Sequence, residues 1–141
     1  MTTILRPSPV EMVIDSSALI AIIRDEPTSP ALIAAIGRPG RAVISAANLL
    51  EATMVAVSRS GPKGHRALHT LITAADIVVM PVDDVQLTGA IDAWQRFGRG
   101  QHRAQLNFGD CFAYALARQV ESPLLCIGTD FAQTDLPLVE L

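Results

Sequence analysis

The stretch that decides the fold is MVIDSSALIAI, at residues 12–22. A short apolar run reaches Asp15, two serines follow, and the apolar residues then continue at helical spacing. A run of this kind is typical of a buried strand, and Ser16 or Ser17 is a preferred residue type for the N-cap of a helix. The stretch therefore predicts a buried strand that turns directly into a helix, with one carboxylate at the junction.

The same alternation recurs along the chain. Further strands are predicted at 42–44, 77–80 and 123–127, with a short fifth at 138–141, and helical patterns or helix starts separate most of them. Strands that alternate with helices indicate an α/β fold with a parallel sheet of four to five strands and helices on both faces. A length of 141 residues fits a single domain. Residues 1–11 show little pattern and are interpreted as an N-terminal arm, or as an over-long start before Met12.

The composition limits the class of protein. Half of the residues are hydrophobic and 18% are charged, which excludes a disordered chain. A net charge of -3 does not suggest a strongly basic nucleic-acid binder. Cys111 and Cys126 lack the spacing of zinc ligands, and no apolar run or leader pattern indicates a membrane or secreted protein. We therefore expect a cytoplasmic location and no membrane partner.

Four acidic residues lie where the predicted strands end or where the helices beside them begin: Asp15, Glu51, Asp110 and Asp130. Each alone has an ordinary explanation as a turn, cap or solvated helix residue. Together they fall at the carboxyl edge of the sheet, which is where open α/β sheets bind ligands.

Asp15 and Asp130 also interrupt strongly apolar contexts, and a buried carboxylate is unfavourable unless it is paired or binds a cation. Oxygen ligands without His or Cys suit Mg²⁺, with Mn²⁺ as the alternative. The residues thus predict an acidic metal site, for which phosphoryl chemistry is the commonest use.

Four segments resemble the PIN-domain nucleases, and most closely the VapC toxins of bacterial toxin–antitoxin pairs. They are VIDSSAL at 13–19, SAANLLEA at 45–52, NFGDCFAYALA at 107–117 and GTDF at 128–131. The resemblance implies one Rossmann-like PIN domain over residues 1–141, with metal-dependent hydrolysis of RNA that leaves a 5′-phosphate. It also implies a homodimer and a cognate VapB-type antitoxin whose C-terminal segment wraps the toxin and sends an arginine into the acidic pocket.

The resemblance assigns roles to particular residues. The family's catalytic and metal-binding acids correspond to Asp15, Glu51, Asp110 and Asp130. Ser16 matches the small hydroxyl residue that follows the first acid. Asp135 lies where relatives often have another aspartate, so it is a secondary candidate.

Other features keep two interpretations each. The segment that contains Arg96, Arg99, His102 and Arg103 either contacts RNA phosphates or is an ordinary exposed loop, and Arg99 and Arg103 are its site candidates.

The nearly uncharged helical stretches at 18–23 and 31–36 predict apolar surface for a partner, unless both pack wholly on their own sheet. Trp94 is expected in the core or at an interface. Phe108, Cys111 and Phe112 fall at helical spacing and are expected to face the core.

Three competing functions remain at this point. A haloacid-dehalogenase-like phosphatase needs a second Asp two positions after the first, where this chain has Ser17. A response-regulator receiver needs a lysine at a late strand end, and the only lysine is Lys63. A catalytically silent PIN module that binds RNA or protein is disfavoured because all four acids are present.

Overall fold

A four-stranded parallel sheet forms the centre of the computed structural model, which describes residues 9–141. The strand order is β3-β2-β1-β4, with β1 at Val10–Ile14, β2 at Arg41–Ser45, β3 at Val78–Met80 and β4 at Leu124–Leu125. Val13 of β1 pairs with Val43 on one side and with Leu124 on the other. The predicted α/β fold with a parallel sheet is confirmed.

Five helices cover the two faces of this sheet: α1 at Ser16–Ile23, α2 at Ser29–Ile36, α3 at Ala46–Ala74, α4 at Asp84–Phe97 and α5 at Phe108–Val120. Alternate residues of a strand point to opposite faces. Accordingly Ile14 and Ile44 pack with α1, α2 and α3, whereas Val13 and Val43 pack with α4 and α5. None of the described helices is both long and apolar enough to cross a membrane.

The ends of the sheet differ from the prediction. Val10 and Glu11 belong to β1, so the interpretation of them as part of an arm is wrong; residues 1–8 of that predicted arm lie outside the described residues. The strand β4 is only two residues long, because the Ile127 amide donates to the hydroxyl of Ser17 (3.0 Å) and not to a strand. The predicted fifth strand is reduced to a single bridge between Leu124 and Leu138.

The helix α3 consists of two helical parts that are separated by a kink at Gly61. Gly61 adopts φ 60° and ψ -147°, a conformation that glycine reaches without steric penalty, and the helix then continues to Ala74. Leu50, Met54 and Val57 share one face of the first half, and that face is exposed. The buried positions on this half of α3 include Ala52 and Ala56.

Candidate metal centre and active site

Asp15 connects the sheet to the candidate site. It follows β1 directly, and its Oδ2 accepts a hydrogen bond from the Ser17 amide (3.0 Å), so Asp15 itself is the N-cap of α1. The prediction that Ser16 or Ser17 caps this helix is therefore wrong. The side chain is almost fully buried, and its Oδ1 has no hydrogen-bond partner among the described residues. One oxygen of this carboxylate thus remains available to a ligand.

Glu51 reaches the same place from α3. The hydroxyl of Ser16, the first residue of α1, donates to its Oε1. On its other side Glu51 lies against the backbone of Gly109, where a Cβ atom would stand 2.8 Å from both carboxylate oxygens. Glu51 is therefore held between the beginning of α1 and the beginning of α5.

Asp110 is fixed by a reciprocal pair of hydrogen bonds at the start of α5. Its amide donates to Oδ1 of Asn107 (2.9 Å), and the Asn107 amide donates to its Oδ2 (3.0 Å). This arrangement is a capping box, in which each residue satisfies the other's unpaired amide. Asn107 is not among the residues predicted from the sequence, although an Asn three residues before an Asp at a helix start is a recognisable signal.

Asn48 joins the two helices that carry Glu51 and Asp110. This buried side chain donates through Nδ2 to the carbonyl oxygen of Gly109 (2.9 Å). Its Oδ1 has no partner among the described residues. Asn48 is not predicted from the sequence, because nothing in the pattern of α3 distinguishes it from a solvated helix residue.

The carboxylates lie within electrostatic range of one another. Burial raises the pKa of Asp15 to about 7 against the effect of its hydrogen bond from Ser17, and the charges of Asp110 and Glu51 raise it further. Burial raises the pKa of Asp110 to about 6, where the charges of Asp130 and Glu51 add to the shift and Arg99 opposes it. Like charges collected in one pocket in this way favour a bound cation.

Cys126 is a further residue of this pocket that the sequence analysis did not place there. Burial raises the pKa of its thiol to about 12, and the charges of Asp15, Asp110 and Asp130 contribute. The thiol therefore stays protonated at neutral pH. The position of Cys126 near these acids could not be predicted from the sequence, because a single cysteine shows no spacing typical of metal ligands.

The residues present fit a hard divalent cation. The available donors are carboxylate oxygens, and the buried Oδ1 of Asp15 has no partner among the described residues. Within residues 9–141, no three His, Cys, Asp or Glu side chains form a ready-made metal cage. Mg²⁺ suits an open site of this type, since it keeps several of its waters and is usually held by only one or two carboxylates.

Comparison with known proteins agrees with this geometry. The family model described as the PIN domain matches residues 12–136. The chain belongs to the PIN-domain family. Ribonuclease VapC from Mycolicibacterium smegmatis is 43% identical over 128 residues, which cover 91% of this chain and 99% of that protein. Ribonuclease VapC28 from Mycobacterium tuberculosis is 45% identical over 124 residues, which cover 87% and 93%. These relatives confirm the predicted resemblance to the VapC group.

Two solved structures share the PIN fold. Mycobacterium tuberculosis VapC20, described as a sarcin-ricin loop cleaving toxin, has a TM-score of 0.74 at 17% identity and covers 93% of this chain and 100% of its own. A toxin–antitoxin complex from Klebsiella pneumoniae has a TM-score of 0.71 at 17% identity and covers 92% and 97%. At this level of identity the two structures establish the architecture alone.

Asp135 lies in a separate network of the PIN domain. Its carboxylate accepts a hydrogen bond from the Tyr114 hydroxyl (2.6 Å) and pairs with Arg96 (3.2 Å) and Arg118 (3.9 Å). Burial alone would raise the pKa of Asp135, but the hydrogen bonds from Tyr114 and Arg96 hold it below its usual value. Asp135 is thus joined to α4 and α5, and it is not among the charges that act on Asp15 or Asp110.

The residues of the predicted basic segment also have different surroundings. Arg96 is the penultimate residue of α4 and forms ion pairs with Asp92 and Asp135. Arg99 lies close enough to Asp110 to lower its pKa. Arg103 is exposed, and the ring of His102 packs edge-on against Phe97 (5.1 Å between centroids). Of the two predicted arginines, Arg99 is the one whose charge contributes to the pKa of Asp110.

The exposed apolar surface of the PIN domain lies away from the predicted helices. In α1 and α2, Ile33 is the one large hydrophobic residue that is clearly exposed among the described residues. A groove of about 490 Å³ instead opens between α4 and α5. The prediction that Phe108 faces the core is wrong, because it is 80% exposed at this groove. The groove is lined by Leu87, Ala90, Ile91, Trp94, Gln95, Arg99, Asn107, Phe108, Cys111 and Phe112.

Proposed function

We propose that this protein is a divalent-metal-dependent endoribonuclease of the VapC toxin type, which hydrolyses RNA phosphodiesters and is neutralised by an antitoxin. The observation that carries the proposal is the buried carboxylate of Asp15, whose second oxygen has no partner among the described residues and which lies within electrostatic range of Glu51 and Asp110. The names of the relatives, which are called ribonucleases, support RNA as the substrate.

In this proposal Asp15, Glu51 and Asp110 hold Mg²⁺ or Mn²⁺, directly or through water, and Asp130 completes the site from its exposed side. When bound, such an ion lowers the pKa of water and stabilises charge on the phosphodiester. The contribution of the chain is to orient the carboxylates. Ser16 holds Glu51, and Asn107 holds Asp110.

Arg99 supplies positive charge near this acidic site. Its charge opposes the rise in the pKa of Asp110, which supports a position near this carboxylate. It also lines the groove between α4 and α5 together with Asn107, the residue that caps α5. We therefore assign Arg99 to an RNA phosphate beside the cleaved bond, and Arg103 to a phosphate further along the same loop.

Neutralisation by an antitoxin follows from the charge of the pocket. Burial and mutual repulsion make the ionised forms of Asp15 and Asp110 unfavourable. A guanidinium group of an antitoxin relieves that repulsion and occupies the position of the metal ion. That one structural neighbour is a toxin–antitoxin complex supports this partner.

A second copy of the chain is the proposed occupant of the α4–α5 groove. Leu87, Ile91 and Trp94 on α4 are each between 42% and 50% exposed. Leu50, Met54 and Val57 on α3 are exposed as well, and we assign them to the same contact between copies. Exposed apolar surface of this extent is typical of an interface between subunits.

The decisive experiment is cleavage of single-stranded RNA by the purified protein with Mg²⁺ or Mn²⁺, with and without EDTA. We expect cleavage that EDTA stops and that Asp15→Asn or Asp110→Asn reduces by about a hundredfold or more. Asp25→Asn is the matched control, since Asp25 is exposed at a turn and its φ of 51° suits asparagine.

Full cleavage by folded Asp15→Asn or Asp110→Asn protein would contradict the assigned site. Absence of cleavage by the unmodified protein on every RNA and metal ion tested would favour the silent RNA- or protein-binding module.

A further inference from the structure

An exposed basic surface lies on α3, away from the four carboxylates. It consists of Arg59, Lys63 and Arg66, accompanied by His65 and His69, and all five side chains are exposed. We call this group the α3 basic surface. It holds three of the eleven lysines and arginines of an acidic chain. Such local segregation of charge marks an electrostatic binding surface even where the net charge is negative.

The charges of this surface are not compensated by neighbours in the sequence. No aspartate or glutamate occurs between Glu51 and Asp76. The ion pairs that form among the described residues involve Arg96 and Arg118, and none involves the α3 basic surface. Its cations are therefore free to bind an external anion.

The second part of α3 keeps Lys63, Arg66 and His69 together. Lys63, Arg66 and His69 follow one another at three-residue intervals, which places them on one side of the helix. Leu68 and Ile72 are buried on the side that packs on the core. At the bend Gly64 lies against the Ala56 carbonyl group, where a Cβ atom would overlap it. The surface is thus anchored to the core and presented outward.

The position of the surface suits a long polyanion. Arg59 lies eight residues after Glu51 in the straight part of α3, which corresponds to about 12 Å along the helix axis. The acidic pocket repels phosphate in the absence of a cation. A nucleic acid therefore needs cationic contacts elsewhere, and these contacts supply much of its affinity.

A lipid surface fits this region less well. From Arg59 to His69 the described chain has no large exposed hydrophobic side chain. The exposed Leu50, Met54 and Val57 lie on the preceding part of α3, where we assign them to the contact between copies. Helices that lie on membranes combine their basic face with an apolar face that inserts. The apolar face of this part of α3 is already buried in the core.

We propose that the α3 basic surface binds the phosphate backbone of the RNA substrate at nucleotides beyond the cleavage site. This inference rests on the proposed ribonuclease function. The surface adds affinity for long RNA without taking part in the chemistry.

The test compares salt-dependent binding of fluorescent polyuridylate by two charge variants, both made in the Asp110→Asn background to prevent cleavage. We expect Lys63→Gln/Arg66→Gln to bind about tenfold more weakly than the parent and to flatten the slope of log Kd against log salt by about 1.4. Arg24→Gln/Arg38→Gln removes the same charge outside the surface and should match the parent. With the carboxylates intact, Lys63→Gln/Arg66→Gln should raise KM for a long RNA and leave kcat unchanged.

An unchanged slope and Kd in Lys63→Gln/Arg66→Gln would overturn the inference, as would an equal loss in the control variant. Loss of binding to phosphatidylglycerol vesicles with unchanged RNA binding would also overturn it and assign the surface to a membrane. If the unmodified protein cleaves RNA but any of these overturning results is obtained, the inference about the α3 basic surface fails and the proposed function stands. If it neither cleaves nor binds RNA, the proposed function fails as well.

Discussion

The carboxylate of Glu51 packs so closely on Gly109 that a Cβ atom at position 109 would stand 2.8 Å from both of its oxygens. Gly109 is buried at the start of α5, immediately before Asp110. This contact sets how closely the acid of α3 approaches the acid of α5. The hydrogen bond from Asn48 to the Gly109 carbonyl maintains the same approach.

Substitution Gly109→Ala should therefore impair catalysis more than folding. Alanine is favoured over glycine inside a helix, but its methyl group displaces the Glu51 carboxylate. A displacement of about 1 Å is enough to lower activity roughly a hundredfold. The measurement is kcat/KM for RNA cleavage beside the thermal midpoint. Gly37→Ala is the control, because a Cβ atom there makes ordinary contacts of 3.5 and 3.6 Å. Retained activity in Gly109→Ala would show that Glu51 tolerates the shift.

The stability of the metal-free protein should fall as the pH rises from about 4 to about 7. The folded-state pKa values of Asp15 and Asp110, about 7 and about 6, lie above the usual aspartate value of 3.8, so the folded state binds more protons in this range. Stability then decreases with rising pH.

Thermal unfolding in EDTA at several pH values tests this sign. Asp15→Asn should flatten the dependence and raise the stability at neutral pH. Mg²⁺ should stabilise the unmodified protein more at pH 7.5 than at pH 5, because its ligands must be deprotonated. A stability that increases steadily from pH 4 to 7 in EDTA would contradict the assignment.

The substitution Ile91→Asp should disrupt the proposed homodimer. Ile91 lines the α4–α5 groove and is 50% exposed. A charge buried in an apolar interface is strongly unfavourable, so light scattering should give the mass of a monomer. Ile33→Asp is a close control, since Ile33 is 49% exposed on α2, outside the groove. A monomeric unmodified protein at all concentrations would remove this interface.

The substitution Asp135→Asn should lower stability and leave metal-dependent cleavage nearly intact. Asp135 accepts hydrogen bonds from Tyr114 on α5 and Arg96 on α4, and the loss of its charge weakens both contacts. Because the group is partly exposed, we expect a loss of about 1 kcal/mol in the free energy of unfolding. Denaturant unfolding and the Mg²⁺ dependence of cleavage measure the two effects. A loss of Mg²⁺ affinity in Asp135→Asn would contradict this prediction and indicate that Asp135 belongs to the metal site.

The sequence predicted the order of the elements well, because each boundary has a local chemical signal. Asp83 and Asn107 are typical N-cap residues, and the apolar runs of β1 and β2 end at polar residues that begin helices. The sequence could also predict that Asp15, Glu51 and Asp110 lie close together, because the carboxyl ends of parallel strands meet at one edge of the sheet.

What the sequence could not predict depends on contacts between distant elements. Leu50 and Phe108 have the helical spacing of core residues, and periodicity cannot tell an apolar face that meets the sheet from one that meets solvent. Asn48 has the sequence context of a surface residue, and only its packing against α5 shows that it is buried. The polar partners of Asp135 come from two different helices, so no local pattern reveals them.

Asp15 belongs both to the cap of α1 and to the proposed metal centre. The carboxylate that closes the first turn of the helix through the Ser17 amide is the same group that offers its other oxygen to a cation. Ion binding should therefore reduce fraying at the beginning of α1, and amide hydrogen exchange at Ser17 should slow in proportion to occupancy. Exchange at the Ser17 amide would then report occupancy of the proposed ion site without any RNA.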